Sequence, residues 1–276
     1  MPAFIAEVGM PYWTDLTTSN PQAAAEFYSE LLGWEISGDD YRIARLQGLP
    51  VAGLIPQPEG TNAPDTWVTY FLSADIAGDI AKVQKLGGSV LADPREVELG
   101  TMTVLADAAG GLFGLLQPKG EDKFIAAGEP STPVWHELTC NAGFEDAVEF
   151  YHELFDWGIR TLTDDETDAD GVYPNGTYAA AMADGAPFAG LWKAEGQFPP
   201  QVKGFWQTYL GVSDVDEAAR RCAELGGEVI REPWDSPFGR LCLIADPTGA
   251  TVTLCEVEEA PEEGREEDPL DGIDLP

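Results

Sequence analysis

In the first half of the chain, segments with the hydrophobic pattern of a β-strand and segments with that of an α-helix follow one another in a fixed order. A strand-like run, PYWTDLT at residues 11–17, is followed from Pro21 by apolar residues at helical spacing. Short apolar runs of strand character come next. A further strand, a second helical segment that closes on Leu86-Gly87-Gly88 and two more strands complete the pattern. This order predicts a unit of one strand, one helix and three strands (βαβββ), present twice in this half.

The same pattern occurs again in the second half, so the chain contains an internal repeat. The matched segments are residues 23–36 with 145–159, 52–54 with 189–191, and 105–107 with 244–246. The second copy carries an additional loop, most of it at residues 161–176. Internal duplication predicts two similar domains, residues 1–122 and 133–257, packed as a pseudo-dimer within one chain. We expect residues 123–132 to be a polar linker and residues 258–276 to be a disordered acidic tail.

The amino-acid composition excludes some classes of binding partner. The chain has 49 acidic and 15 basic residues and a net charge of −34, which argues against binding to nucleic acid or to an anionic membrane. It has no signal-peptide pattern and no run of 18 apolar residues, so we expect a soluble, cytoplasmic protein. No cysteines show CxxC spacing, and we expect free buried thiols at Cys140, Cys222, Cys242 and Cys255. The expected partner is a small molecule, and the expected assembly is a monomer or a loose homodimer.

Several motifs resemble those of one known superfamily. A helix with Phe27-Tyr28 ends in Gly33-Trp34, a second helix ends in LGG, and residues 246–254 read DPTGATVTL. These features resemble the vicinal oxygen chelate superfamily of glyoxalases, extradiol dioxygenases and bleomycin-resistance proteins. They are most similar to its two-domain actinobacterial group of glyoxalase-like proteins and hydroxylases. The resemblance implies an α+β fold in which the two βαβββ modules of each domain form a half-open barrel.

The resemblance also implies where a metal would be bound. In that superfamily the ligands are a His or Gln on the first strand, a residue on the fifth strand and a Glu on the last strand. The fifth-strand positions correspond to Val68 and Gln207, and the last-strand positions to Gly114 and Thr253. Because Val and Gly have no donor atom and the other two side chains are neutral, we expect neither domain to hold a metal or other cofactor.

His136 is the candidate metal ligand on the first strand of the second copy, and its orientation depends on register. Counting back from the Phe-Tyr pair aligns His136 with Trp13. Matching strand to strand through P-x-W-x-(D/E)-L-T instead aligns Trp13 with Trp135 and Asp15 with Glu137. This second register requires one inserted residue before the next helix and moves His136 to the opposite face of its strand. The second register has more identities and is favoured.

The favoured register predicts the residues that face each cleft. The first cleft would present Trp13, Asp15, Val68, Tyr70 and Gly114, and the second Trp135, Glu137, Gln207, Tyr209 and Thr253. An indole, a carboxylate and a phenol in each set can stack and orient a small aromatic or amphipathic ligand, although core packing explains the tryptophans equally well. The leading hypothesis is a metal-free binding protein. The alternatives are a metal-independent hydroxylase or lyase that uses Asp15 or Glu137 as its base, and a metal-dependent glyoxalase or dioxygenase centred on His136.

Overall fold

A computed structural model of the protein describes residues 3–58, 60, 63–120, 124–162, 178–236 and 239–258. The tail expected at 258–276 lies outside these residues apart from Glu258, and the additional loop of the second copy lies almost entirely outside them. Part of the expected linker is a strand, because β10 (Phe124–Ala126) pairs antiparallel with β1 (Ala3–Ile5). In the described part of the chain, no helix is long and apolar enough to cross a membrane.

The first domain consists of two consecutive βαβββ modules. The first module contains β2 (Pro11–Thr18), α1 (Pro21–Leu32), β3 (Glu35–Ser37), β4 (Arg42–Leu46) and β5 (Leu49–Pro56). The second contains β6 (Thr66–Leu72), α2 (Ile76–Lys85), β7 (Ser89–Glu96), β8 (Gly100–Ala106) and β9 (Leu112–Pro118). Their strands form one eight-stranded sheet in the order β3-β4-β5-β2-β6-β9-β8-β7. β2 and β6, the first strands of the two modules, therefore lie side by side at the centre.

The second domain repeats this arrangement. Its first module contains β11 (Pro133–Cys140), α3 (Phe144–Phe155), β12 (Gly158–Leu162), β13 (Tyr178–Ala183) and β14 (Ala186–Lys193). Its second contains β15 (Gly204–Val212), α4 (Val215–Glu224), β16 (Glu228–Ser236), β17 (Gly239–Ala245) and β18 (Thr251–Glu256). The sheet order is β12-β13-β14-β11-β15-β18-β17-β16. The predicted α+β fold of tandem two-module domains is confirmed.

The inserted residue of the second copy lies at the start of α3. In the first domain Asn20 caps α1 by accepting a hydrogen bond from the backbone N–H of Ala23, and Pro21 fills the first helical position. In the second domain Gly143, with φ of 68°, takes the cap position without a side-chain cap bond. β2 and α1 are separated by two residues, 19–20, whereas β11 and α3 are separated by three, 141–143.

The two largest hydrophobic clusters of the described residues are shared between the domains. One core joins the apolar face of α1 in the first domain to that of α4 in the second. The other joins residues of α2 and its neighbouring strands to α3. The helices of each domain therefore bury their apolar faces together with helices and strands of the other domain.

Residues of the repeated motifs make polar contacts within and across this boundary. The indole of Trp34 donates to the backbone oxygen of Ser131 (2.7 Å), and its counterpart Trp157 donates to that of Gly9 (2.9 Å). The hydroxyl of Tyr151, on α3, donates to Asp107 of the first domain (3.1 Å). The motifs that carry the family resemblance thus hold the two domains together.

Candidate functional site

Strand pairing brings the predicted cleft residues together. In the second domain Trp135 lies opposite Tyr209, and Glu137 opposite Gln207. Tyr209 in turn lies beside Thr253 on the parallel strand β18. The first domain has the same register, with Trp13 opposite Tyr70, Asp15 opposite Val68, and Tyr70 beside Gly114. These pairings agree with the strand-to-strand match.

His136 lies on the other face of β11, towards the first domain. Its Nδ1 is 2.9 Å from the hydroxyl of Thr69 on β6, and the side chain is 8% exposed. Burial lowers the pKa of this imidazole to about 3, so the ring is neutral at physiological pH. The second histidine, His152, bonds through Nδ1 to the backbone oxygen of Trp157 (2.7 Å) at the end of α3.

The second domain contains an open cavity of about 630 Å³ on the inner face of its sheet. Glu137 lies in its wall with both carboxylate oxygens hydrogen-bonded. The hydroxyl of Tyr178 donates to Oε2 (2.9 Å), and that of Tyr209 donates to Oε1 (3.2 Å). The indole of Trp135 donates to the Tyr178 oxygen (3.3 Å). The remaining wall is largely apolar and includes Leu162, Ala180, Met182, Leu241, Cys255 and Val257.

Among the described residues, Arg160 is the cationic side chain that lines this cavity. It lies on β12, next to the strand that carries Tyr178, and is exposed. A ligand in the cavity would therefore meet a buried carboxylate on one side and an exposed guanidinium on another.

Tyr178 is a site residue that our interpretation of the sequence missed. It is 137 positions after Tyr41, the same interval that separates Gly53 from Gly190 in the repeated AGL motif. A Cβ at Gly190 would overlap the Tyr178 hydroxyl, and a Cβ at Gly53 would overlap Asp15 and the ring of Tyr41. The glycine thus lets a tyrosine cross the neighbouring strand to reach the carboxylate. The interval of 137 residues, common to the two tyrosines and the two glycines, could have identified Tyr178 from the sequence.

The first domain has the same polar group, but its cleft is closed. The indole of Trp13 donates to Asp15 Oδ1 (2.7 Å) and to the hydroxyl of Tyr41 (2.9 Å), and that hydroxyl donates to the same Oδ1 (2.9 Å). Asp15 is fully buried, and its Oδ2 has no hydrogen-bond partner among the described residues. Desolvation raises the pKa of Asp15 to about 6, against the lowering effect of the bonds from Tyr41 and Trp13.

Differences in side-chain volume explain why one cleft is closed and the other open. Where the first domain has Ile43 and Leu116, the matched positions of the second are the smaller Ala180 and Cys255, which line the cavity. Gly114 also lets the ring of Tyr70 lie against β9, because a Cβ there would overlap that ring. The resulting cluster in the first domain is buried and contains both Trp13 and Tyr70.

The residues at the positions implied for a metal do not form a suitable set of ligands. Val68 and Gly114 lack donor atoms. Gln207 bonds to Thr139 through Nε2 (3.2 Å) and to Thr253 through Oε1 (3.4 Å), and His136 faces away. Within the described ranges, no three His, Cys, Asp or Glu side chains are grouped so as to hold a metal ion. A divalent ion is normally held by several charged or imidazole ligands, which are missing at these positions.

Comparisons with known proteins cover most of the chain. Residues 13–116 match the Glyoxalase-like domain, and residues 138–254 match the Glyoxalase/Bleomycin resistance protein/Dioxygenase superfamily. CFP32 of Mycobacterium tuberculosis, a protein provisionally named as a glyoxylase, is 30% identical over 257 residues, or 89% of this chain and 94% of CFP32. The anthracycline biosynthesis protein DnrV of Streptomyces peucetius is 29% identical over 276 residues, or 91% of this chain and 94% of DnrV.

Solved structures share the fold. The Mn(II)-bound glyoxalase from Novosphingobium aromaticivorans aligns with 91% of this chain and 83% of its own, with a TM-score of 0.61 and 16% sequence identity. At this identity the likeness concerns the fold alone.

Proposed function

Since the chain belongs to the glyoxalase/bleomycin resistance/dioxygenase superfamily, we propose that its second domain binds a small aromatic or amphipathic molecule without a metal ion. The observation that carries this proposal is the open cavity of about 630 Å³, in which Glu137 is held between two tyrosine hydroxyls. Cavities of this size and largely apolar character are typical of small-molecule sites.

The wall chemistry supports an aromatic ligand with a hydrogen-bond donor. Trp135, Tyr178 and Tyr209 offer ring surface, and Glu137 can accept a hydrogen bond from the ligand beside those of the tyrosines. Anthracyclines are polycyclic aromatic compounds, so the relation to an anthracycline biosynthesis protein favours the same ligand class. Because the first cleft is closed, we expect one ligand per chain in the clefts, bound in the second domain.

Binding of 2-hydroxyanthraquinone, measured by isothermal titration calorimetry, tests this proposal. Trp135→Phe and its matched control Trp13→Phe each remove one indole. We expect one site per chain and a several-fold loss of affinity in Trp135→Phe, because phenylalanine offers a smaller ring for stacking and lacks the N–H that holds the Tyr178 hydroxyl beside Glu137. Trp13→Phe should bind like the parent. Equal affinities in all three proteins would contradict a site at Trp135.

Metal content tests the second part of the proposal. Protein dialysed after purification is expected to contain no stoichiometric zinc, nickel, manganese or iron by plasma mass spectrometry. Stoichiometric metal that is lost in His136→Ala would instead support the metal-dependent alternative.

A metal-independent hydroxylase or lyase is the second candidate function. It is favoured by Glu137, a carboxylate that lines the cavity and can act as a base if a bound ligand displaces one tyrosine hydroxyl. Glu137→Gln separates the two functions, since an enzyme would lose turnover while retaining its ligand. The closed cleft around Asp15 leaves that carboxylate without access to a ligand.

A further inference from the structure

A second pocket, of about 220 Å³, lies between the two domains. We call it the interdomain pocket. Met10, the first residues of β2, residues 127–128 and residues of β11 and β14 form its walls, which are mainly apolar and include Tyr12, Val134, Pro187 and Phe188. It shares Val134, Trp135 and Pro187 with the cavity of the second domain. His136 also lines it, on the face of β11 that turns away from Glu137.

A chain of hydroxyl groups leads to this histidine. Thr14 lies 3.2 Å from the backbone oxygen of Val68 and 3.0 Å from the hydroxyl of Thr208, which is 3.4 Å from that of Thr69. The hydroxyl of Thr69 is in turn 2.9 Å from Nδ1 of His136. Since each hydroxyl has one hydrogen, all four contacts are hydrogen bonds in a single arrangement, in which Thr14 donates to Val68, Thr208 to Thr14, Thr69 to Thr208 and Nδ1 to Thr69.

The consequence is a bare acceptor at the pocket. A neutral imidazole with its proton on Nδ1 has an unprotonated Nε2. This nitrogen has no hydrogen-bond partner among the described residues, and it is not among the fully enclosed atoms that lack one. His136 is 8% exposed and lines the pocket, which places Nε2 to accept a hydrogen bond from a molecule there.

We propose that His136 carries its proton on Nδ1 and that the interdomain pocket is a second binding site, for a phenol-sized aromatic group whose hydroxyl donates to Nε2 of His136. The size is adequate, since an apolar cavity of roughly 150 Å³ in another protein accommodates benzene. Its polar contact, His136, is on the face of β11 opposite to Glu137, although the two pockets share part of their apolar walls. Burial keeps the imidazole neutral, which preserves the acceptor under physiological conditions.

Nitrogen-15 NMR of the imidazole tests the proposal directly. The chain has two histidines, so a His152→Gln variant with native backbone spectra leaves His136 as the single imidazole. We expect the proton on Nδ1 and a saturable shift of the Nε2 resonance when phenol is added. Toluene, which has the ring without the donor, should not produce this shift. A proton on Nε2, or a resonance that phenol does not move, would overturn the proposal.

His136→Asn provides the matched variant. Its side-chain N–H can replace Nδ1–H in the bond to Thr69, whereas the acceptor at the position of Nε2 is lost. Phenol affinity, followed through the backbone amides of Ala127, Gly128 and Phe188, should fall roughly five-fold, the effect of one ordinary hydrogen bond. Toluene affinity should not change, and Tyr178→Phe should leave phenol affinity at this pocket as in the parent. Equal phenol affinity in His136→Asn would show that the acceptor plays no part.

Discussion

Asp15 and Glu137 occupy matched positions but have different surroundings. Asp15 is fully buried in a cluster that includes Trp13 and Tyr70, and one of its oxygens has no hydrogen-bond partner among the described residues. Glu137 has both oxygens bonded by tyrosines at the wall of an open cavity. A buried carboxyl favours its neutral form, because desolvation penalises the charge. The state of the first-domain carboxyl therefore affects stability, whereas the second-domain carboxyl lines the cavity in which we propose that a ligand binds.

The raised pKa of Asp15 should be detectable in the pH dependence of the free energy of unfolding. Its pKa rises from 3.8 to about 6 on folding, so its contribution to stability is complete below pH 3.8 and is lost as the pH rises through 6. Asp15→Asn removes this dependence. Between pH 3.5 and 7.5 the difference in unfolding free energy between parent and variant should change by roughly 3 kcal/mol in favour of the variant.

Urea denaturation at several pH values measures this difference. Asp93→Asn is the control, because it removes a carboxyl from an exposed position on β7. Its difference from the parent should vary little with pH. If Asp15→Asn behaved in the same way, the raised pKa of Asp15 would be wrong.

The sequence predicted the pairing of tryptophan and carboxylate but not the state of the two clefts. Alternation along a strand places Trp135 and Glu137 on one face whatever their neighbours are. Whether that face is packed or open depends on the volumes of side chains from several strands, such as Ile43 and Ala180. These side chains come together only in the folded protein, so the motif alone does not show whether its residues line a packed core or a cavity.

At the scale of elements, the strands β4 and β13 differ in how far their side chains fill the cleft. Ala180→Ile together with Cys255→Leu gives the second domain the residues that fill the first. We expect loss of 2-hydroxyanthraquinone binding by an order of magnitude or more with an unfolding free energy equal to or above that of the parent, since filling a cavity removes binding space and adds contacts. Calorimetry and urea denaturation on the same sample test both effects. Unimpaired binding would place the ligand elsewhere.

Ile43→Ala is the reciprocal change in β4. Ile43 is 1% exposed, so its truncation leaves a hole in a packed cluster. We expect a loss of about 2–5 kcal/mol in unfolding free energy, the range measured for large-to-alanine changes in cores. A loss below 1 kcal/mol, measured by urea denaturation, would indicate that this cleft is looser than described.

At the scale of the whole molecule, the two domains depend on one another because their cores are shared. Separated halves, residues 1–122 and 123–276, would expose the apolar faces of α1 to α4. We expect the intact chain to unfold in a single calorimetric transition and each half alone to give poorly dispersed NMR spectra. Mixing the halves should restore dispersion. A half that showed its own cooperative transition would contradict this dependence.

The internal repeat predicted two domains and their order of elements, but it did not identify the packing partners of the helices. The amphipathic pattern of α1 specifies an apolar face without naming the surface that covers it. α1 packs with α4 of the other domain, and this pairing follows from how the two sheets are placed together. The repeated Trp34 and Trp157 gave little indication of this pairing, since their indoles bond to backbone oxygens, of Ser131 in the segment between the domains and of Gly9 in the first domain.

The pairing of α1 with α4 also affects synthesis on the ribosome. α1 ends at Leu32 and α4 begins at Val215, so the partner of the first helix is translated much later. At about 5–20 residues per second, the interval is roughly ten to forty seconds. During this time the buried face of α1, including Phe27 and Tyr28, has no native cover from the second domain. Chaperone binding to the nascent first domain is therefore expected until the last strands have been made.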